Sequence, residues 1–296
     1  MISRRDSFAM TSLMAMGLGG AAEAATAPAL NLEDPKERAK ARAKVVGSCV
    51  EETVYTFYRL HLYGYMNDGN LVPFSTMNNL NITKWKPLPN GNYAGTVHES
   101  GAYCKFDTDE PLEVWENPIT GEKREIWQFL GGPIKTELGP DGSITDETAT
   151  VKPKPMRMES FGGVVFVPAM SAFSFPNPMK ADKWPKESAG PTFYWDSHSH
   201  HMARLVDVAN PNINRAPSFA SFQNLVSFHP WLGLGGKPGR SYGKAYGAKL
   251  NSLDDMPKAA RISLEKKTPE IFDLSLDIWK KPIIDFAEYM KQRKPT

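Results

Sequence analysis

The sequence predicts an α+β protein that is predominantly antiparallel β, curled or barrel-like, with one helix before the sheet and helices packed after it. Segments rich in β-branched and aromatic residues recur through the middle of the chain, and turn signals of Asn, Pro and Gly separate them. Helix-capping patterns occur near the two ends. Charged residues are 23% and hydrophobic residues 41% of the 296, which is typical of a globular domain.

The N-terminus has the layout of an export signal. Arg4 and Arg5 precede an uncharged, small-residue stretch and resemble a twin-arginine signal, although Phe8 lies one place too far from them, which leaves the ordinary secretory route open. The apolar part is shorter than the about 20 residues of a membrane-spanning helix. We therefore expect residues 1–24 to be a signal peptide recognised by an export translocase, and the mature protein to be periplasmic without a stable membrane span.

Residues 25–296 are expected to form a single β-rich domain. Asp34 as a cap, Pro35 in the first turn and Gly47 as the stop predict a helix over residues 36–46. A turn at residues 117–121 predicts a hairpin between residues 112–116 and 122–129. The other predicted strands are residues 54–58, 63–65, 93–97, 148–152, 162–168, 171–175, 191–197 and 222–228.

A C-terminal helical segment is predicted over residues 252–292. Ser252 and Asp255 form a capping-box pattern before a helix that runs to Leu264, and Thr268 with Pro269 predicts a second start. Pro282 should interrupt the helix before residues 283–290. Helical spacing places three apolar residues on one face, which we expect to pack against the sheet: Phe272, Leu276 and Trp279.

Cysteine count and charge restrict the chemistry. Cys49 and Cys104 could form one disulfide in an oxidising compartment or stay as separate buried thiols, and both alternatives remain open. The net charge of +2 and the lack of a long basic run exclude an electrostatic footprint for nucleic-acid binding.

Three groups of residues together resemble a known family. They are Trp115 to Pro118 with Thr120 to Glu122, then Pro176 to Pro178, and the block Pro230 to Gly239. In this order they resemble the family catalogued as domain of unknown function 1838. The resemblance groups the chain at the scale of a fold and implies no activity. Gly233 departs from the tryptophan-rich pattern of that family, and the histidine group below is not one of its signatures.

The histidine group at residues 198–201 is the richest in chemistry. On a strand, His198 and His200 would point to one face and His201 to the other, so two imidazoles could share a metal or a substrate. A metal would need a third ligand, for which His98, Glu99 or His229 are candidates. The alternative is a polar strand end with solvent-facing histidines, so metal and cofactor are left open.

The glycine-rich segment at residues 233–239 fits neither the Walker pattern nor the dinucleotide fingerprint. A rigid loop is favoured over a phosphate site, with Trp231 closing one end of a pocket. Aromatic residues are frequent in the strand-rich half, and some of them could line an apolar pocket inside a barrel.

We therefore expect an exported protein that binds and transforms a small, mainly apolar molecule (aromatic, terpenoid or lipid-like), with histidine as acid, base or metal ligand. The alternative is a non-catalytic periplasmic protein that only binds such a molecule, so whether the chain is an enzyme stays open. The expected catalytic residues are His198, His200 and His229, and the expected substrate-binding residues are Tyr194, Trp195, Trp231 and His98.

Replacing Arg4 and Arg5 with lysines tests the export hypothesis. The twin-arginine route requires the arginine pair, whereas the ordinary secretory route accepts any positive charge there. We expect the Arg4→Lys, Arg5→Lys variant to remain in the cytoplasmic fraction, measured by immunoblot of fractionated cells. Unchanged export would contradict the twin-arginine assignment.

Overall fold

The computed structural model describes residues 30–145, 156–276, 279 and 286–296. The predicted signal peptide, the strand predicted at residues 148–152 and the break predicted at Pro282 lie outside these residues. In chain order the strands are β1 Glu52–Met66, β2 Leu71–Pro87, β3 Tyr93–Cys104, β4 Val114–Glu116, β5 Lys123–Glu125, β6 Phe129–Leu138, β7 Ser143–Thr145, β8 Glu159–Phe161, β9 Val164–Pro176, β10 Thr192–Arg204, β11 Ser218–Val226 and β12 Gly239–Leu250. The helices are α1 Pro35–Val46, α2 Leu205–Ala209, α3 Lys258–Lys267 and α4 Phe286–Gln292, with short 3-10 helices at Pro230–Leu232, Leu253–Asp255 and Pro269–Phe272.

The predicted fold class is confirmed, because ten of these strands form one antiparallel sheet curled into a half-barrel. The strand order is β7-β6-β3-β2-β1-β12-β11-β10-β9-β8. Two meanders, one from each half of the chain, therefore meet where β1 pairs with β12, from Tyr55 opposite Leu250 to Met66 opposite Gly239. The hairpin of β4 and β5 lies apart from the sheet and confirms the predicted turn at residues 117–121.

The inner face of the half-barrel is identified by contacts between strands that are not neighbours. The rings of Tyr58 on β1 and Phe222 on β11 lie 5.3 Å apart, although β12 runs between these strands. The facing positions of β12 are Gly243, Ala245 and Gly247, which leave room for that approach. Because side chains alternate along a strand, these residues fix which side chains of every strand point inward.

Helix α1 closes one end of the inner face. Ala41 and Val45 of α1 pack against Val165 and Val167 of β9. Lys249 on β12 donates hydrogen bonds from Nζ to the carbonyl oxygens of Lys44 and Gly47, at 2.7 and 2.9 Å. These carbonyls lie at the C-terminal end of the helix, where a cation satisfies acceptors that have no partner within the helix.

An aromatic cap closes the other end; its rings are Phe74, Tyr103, Trp115 and Trp231. The Trp115 and Trp231 rings are 5.4 Å apart, and Trp115 donates from Nε1 to the carbonyl of Phe74 at 3.0 Å. The β4–β5 hairpin is tied to this cap by Asn117, whose Nδ2 donates to the carbonyl of Leu232 at 3.0 Å. Phe286 and Tyr289 of α4 join the same cluster.

The outer face is covered by C-terminal elements over β1, β2 and β3. Leu264, Ile271 and Trp279 are buried there against Phe57 and Leu80. A polar contact lies beneath them, since Ser100 Oγ donates to Thr268 Oγ1 at 2.6 Å. Among the residues the structure describes, no helix is long and apolar enough to cross a bilayer.

The helix predictions are confirmed at α1 and corrected near the C-terminus. Asp34 accepts from the backbone of Lys36 at 2.7 Å, and Gly47 ends the helix. The capping box at Ser252 is present but starts a 3-10 turn before α3. The single helical face predicted for residues 272–279 is wrong, because the 3-10 helix Pro269–Phe272 ends at a turn and leaves Leu276 40% exposed.

Two long strands, β2 and β12, carry no prediction from the sequence, and two predicted pairs of strands are continuous. Residues 54–58 and 63–65 both belong to β1. Residues 164–168 of one predicted strand and residues 171–175 of the next both belong to β9, while residues 162–163 form the turn before it. The sequence signal of β2 is weakened by Asn, and that of β12 by Gly, both of which are depleted in strands.

The cysteines remain separate thiols. Cys49 follows α1 and lies near Tyr93, at the start of β3, whereas Cys104 is the last residue of that strand. A strand of this length separates them by about 35 Å, far beyond the about 7 Å between Cα atoms that a disulfide tolerates. Burial raises the pKa of the Cys104 thiol to about 11.

Gly247→Ala should destabilise the protein, because a Cβ there would meet the carbonyl oxygen of Phe57 and the ring of Tyr58. We expect a loss of about 1–3 kcal/mol in the free energy of unfolding, measured by urea denaturation. Gly139→Ala is the matched control, since its Cβ would make only ordinary contacts with Asn92, from 3.4 Å outward. Equal effects of the two changes would contradict the close approach of β1 and β12.

Candidate functional site

The middle of the inner face carries a group of polar side chains between the two closed ends. We call this group the polar band and define it as Tyr58, Asn79, Asn81, Glu99 and His201. Register connects them: Tyr58 lies opposite Asn79, and Asn81 lies opposite Glu99. On the far side of β12, Ala220 lies opposite both Gly247 and His201. The band therefore crosses the sheet with small residues at its centre.

Apolar residues flank the band along the same strands. On β2 the inward positions run from Met77 in the aromatic cap, through Asn79 and Asn81, to Trp85 beside α1. Asparagine amides in such a position lose hydration and need hydrogen bonds to offset the cost. The side chain of Asn79 meets this need by donating to the carbonyl of Ser100 at 3.0 Å.

Glu99 is the ionisable centre of the band. Asn81 donates from Nδ2 to Glu99 Oε1 at 2.7 Å. Burial raises the pKa of Glu99 to about 7, and the hydrogen bond from Asn81 opposes this shift only in part. Near neutral pH the carboxyl is therefore shared between its acid and carboxylate forms, which suits a group that both accepts and donates protons.

Tyr58 supplies a hydroxyl close to this carboxyl. Burial raises the pKa of Tyr58, and the negative charge of Glu99 raises it further. The phenol thus stays protonated across the physiological range and can act as a hydrogen-bond donor. Within the described part of the chain, nothing is hydrogen-bonded to this hydroxyl.

His201 faces the band from β10 as a neutral imidazole. Burial lowers its pKa to about 4, with smaller contributions from the charges of Lys249 and His200. Its Nδ1 atom is buried without a hydrogen-bond partner among the residues described, and so is Oδ1 of Asn81. Leaving a buried polar atom unpaired costs about 1–3 kcal/mol, so this part of the band is held at a cost in free energy.

The band borders accessible space. Glu99, His201 and Asn81 are half-buried, although the pKa shifts of the first two are those of groups deep within protein. Groups enclosed by protein but still accessible to water line a cavity or cleft. From this partial exposure we infer a cleft between α1 and the aromatic cap, which we call the inner cleft.

The structure divides the predicted site residues between the two faces of the sheet. Trp195 and Trp231 pack in the inner aromatic cluster, and the ring of His229 lies 5.9 Å from Phe193 beside that cluster. Burial lowers the pKa of His229 to about 4. These three residues lie at the capped end of the inner face.

The other predicted residues point outward. His198 and His200 share the outer face, as strand alternation predicts, with ring centroids 4.3 Å apart. Tyr194 is exposed on the same face, 4.7 Å below the guanidinium of Arg240. His98 lies under the C-terminal segment, edge-on to Trp279 at 5.1 Å. The expectation that His198, His200 and His229 gather at one pocket is therefore wrong, because His198 and His200 face outward from β10 while His229 lies beside the inner cluster. The catalytic and binding roles of the predicted residues stay predictions.

This geometry argues against two alternatives from the sequence, a metal site completed by His98, Glu99 or His229 and a phosphate-binding loop. The described residues contain no group of three or more His, Cys, Asp or Glu side chains placed to hold a metal, so His98, Glu99 and His229 do not complete a site with His198 and His200. The glycine-rich segment is a fixed loop, as predicted. Gly233 has a φ of 62°, and the amide of Gly235 donates to the carbonyl of Lys186 at 2.6 Å instead of facing a ligand.

Four residues of the band carry no site prediction from the sequence: Tyr58, Asn79, Asn81 and His201. Glu99 is a candidate metal ligand there, and it is also considered for proton transfer, for which it would need a neighbour other than His98. One sequence pattern marks the part of the polar band that lies on β2. Residues 79–83 alternate between polar and apolar types, with Asn79, Asn81 and Thr83 on one side and Leu80 and Ile82 on the other. Such alternation predicts a strand with one polar face, but no feature of the sequence shows that this face points into a cleft.

A comparison with protein families finds that the model of the family described as "Protein of unknown function (DUF1838)" matches residues 51–280. A search of the curated proteins finds no match. The matched range includes the polar band and the residues of the aromatic cap. Of the residues on which the resemblance rests, Trp115, Asn117 and Trp231 are contacts within this cap.

Glu99→Gln should change how stability depends on pH. Glu99 keeps its proton in the folded chain up to about pH 7, whereas its ordinary pKa is 4.5. The folded state therefore binds more protons between these values, and the free energy of unfolding falls as pH rises through the window. The substituted amide cannot ionise, so the variant should gain stability relative to the unsubstituted protein from about pH 5 to about pH 8, by at most about 3 kcal/mol.

Urea denaturation followed by tryptophan fluorescence measures this difference at each pH. Glu159→Gln, which removes an exposed carboxylate from β8, is the control. His201 and Lys249 titrate in all three proteins, so their contributions largely cancel in the comparison. If the Glu99→Gln and Glu159→Gln profiles run parallel, Glu99 does not have the raised pKa on which the site depends.

Proposed function

Because the chain belongs to the DUF1838 family, whose function is unknown, we propose from its geometry that it binds a small, mainly apolar molecule in the inner cleft and transfers a proton on it through Glu99. The observation that carries this proposal is the pKa of about 7 for a carboxyl that faces accessible space inside a half-barrel. Perturbed carboxyl pKa values of this kind are characteristic of general acid–base groups.

The surroundings of the band define the class of ligand. Aromatic rings at one end and aliphatic residues near α1 at the other favour a hydrophobic body, such as an aromatic, terpenoid or lipid-like molecule. The hydroxyl of Tyr58 and the carboxyl of Glu99 favour a ligand that also carries one or two polar groups. A carbonyl oxygen is a suitable polar group, because the protonated hydroxyl of Tyr58, close to Glu99, can donate a hydrogen bond to it.

A proton shift next to such a carbonyl is the reaction that these groups support. In a ligand with a carbon–carbon double bond one carbon further along, the Glu99 carboxylate accepts a proton from the carbon between that double bond and the carbonyl. The electron pair of the C–H bond forms a new C=C bond to the carbonyl carbon, and the π pair of the C=O bond moves to the oxygen. Tyr58 donates a hydrogen bond to the resulting oxyanion. Protonated Glu99 then returns the proton to the far carbon of the original double bond as the carbonyl re-forms, so the product is the conjugated isomer and no oxidant or reductant is consumed. Asn81 holds the carboxyl in place throughout.

Deuterium exchange tests binding and chemistry together. Ligands are first found by thermal shift and tryptophan fluorescence with apolar carbonyl compounds, and exchange of their C–H protons in D₂O is then followed by NMR. We expect Glu99→Gln to retain affinity within a few-fold and to lose exchange by roughly 10²–10⁴-fold, the usual effect of removing a general base. His198→Gln, on the outer face, is the matched control and should change neither quantity.

The outcomes separate catalysis from binding alone. If a compound binds but exchanges no faster with the protein than without it, the chain is a non-catalytic binding protein, the second candidate function. If exchange persists in Glu99→Gln and is lost in His198→Gln, the outer-face histidines carry the chemistry instead. No binding by any apolar compound would remove the support for the cleft as a ligand site.

We also propose that the protein acts in the periplasm after export by the twin-arginine route. The arginine pair and small-residue stretch at the N-terminus support this, and the lysine variant described above tests it.

A further inference from the structure

We propose that the outer face of β9 and β10 carries a soft-metal site that binds one Cu(I) ion through His198, His200 and Met170. The site lies on the opposite side of the sheet from the inner cleft and does not depend on the proposed function. It explains a pair of outward histidines that the cleft does not use.

The two imidazoles are already placed as a pair. Their ring centroids lie 4.3 Å apart with the ring planes at 65°. Two imidazoles that bind one three-coordinate ion through nitrogens about 2.0–2.1 Å away, at about 120°, have centroids roughly 5.5 Å apart. The observed pair must therefore open by about 1 Å through side-chain rotation to bind a common ion.

One ring nitrogen of His198 is also unpaired. Its Nε2 atom is buried and has no hydrogen-bond partner among the described residues. Neutral imidazole nitrogens with free lone pairs are the form that binds a metal.

Met170 supplies the third donor. It lies directly opposite His198 in the antiparallel pairing of β9 with β10, and therefore on the same face. Side chains opposite each other in this way have Cβ atoms about 4.5–5.5 Å apart, within reach of the long methionine side chain. On the other side of His198, Gln223 is occupied, since its Oε1 accepts from the hydroxyl of Tyr242 at 3.4 Å.

The donor set selects the metal. A thioether sulfur with two imidazole nitrogens favours the soft ion Cu(I) over hard ions such as Mg²⁺ or Ca²⁺. The nearest carboxylate on this face of β10, Asp196, does not complete an acidic or histidine cluster with the pair among the described residues. The site therefore lacks the hard donors that would favour divalent metals such as Mg²⁺ or Ca²⁺.

The test is Cu(I) titration of the full chain against a colorimetric chelator, under reducing, anaerobic conditions. Cys49 is half-buried and its thiol could bind copper, so every protein carries Cys49→Ser. We expect one Cu(I) per chain. Binding should be at least about 10-fold weaker in Met170→Leu and in His200→Gln, because losing even a residue that only supports a metal ligand costs roughly 10–100-fold in affinity. X-ray absorption should show a sulfur ligand that Met170→Leu removes.

Met202→Leu is the matched control, because Met202 lies on the same face of β10, beyond His200 and away from Met170. It should bind Cu(I) like the parent, and so should Glu99→Gln if this site is independent of the cleft. Far-ultraviolet circular dichroism confirms that each variant is folded. Binding of less than one ion per chain, unchanged affinity in Met170→Leu, or equal losses in Met170→Leu and Met202→Leu would overturn the proposal.

Discussion

The pairing of β1 with β12 is the constraint on which the rest of the structure depends. It joins two meanders that are far apart in the sequence, and it succeeds because the inward residues in the middle of β12, Gly243, Ala245 and Gly247, are very small. The ring of Tyr58 can then lie across β12 and meet Phe222 on the next strand. A larger residue at Gly247 would separate the strands and flatten the curve that makes an inner face.

The pairing of β1 with β12 creates an inner face that has two different environments. The ends are packed, by α1 on one side and by the aromatic cap on the other, and these contacts contribute apolar burial. The middle keeps polar groups that are buried at a cost in free energy, with Glu99 held as a partly protonated carboxyl. Residues that resemble the family pattern build the cap, while the proposed chemistry lies in the band beside it. Rigid packing around a costly polar centre is the usual design of a small-molecule site.

The failures of sequence interpretation fall mainly where the site lies. Strands β2 and β12 escaped prediction because Asn79 and Asn81 on one, and Gly243 and Gly247 on the other, are poor strand formers. The cleft needs these residues, since it takes polar groups from the first strand and open space from the second. Local preferences commonly conflict with the fold at functional sites. The regular elements were predicted better: α1 has a cap and a stop in the sequence, and the β4–β5 turn has its proline and glycine.

The sequence by itself determined the fold class, the first helix with its caps, the hairpin turn, and the fact that His198 and His200 share one face, because each follows from spacing along a few neighbouring residues. Tertiary structure alone decided which face is the inside. The alternation of β10 separates Trp195 from His198 but does not say which of them faces a cleft. That depends on the curvature of the whole sheet, set by strands from both halves of the chain, and the same curvature brings Tyr58 and Glu99 together from strands that are not neighbours.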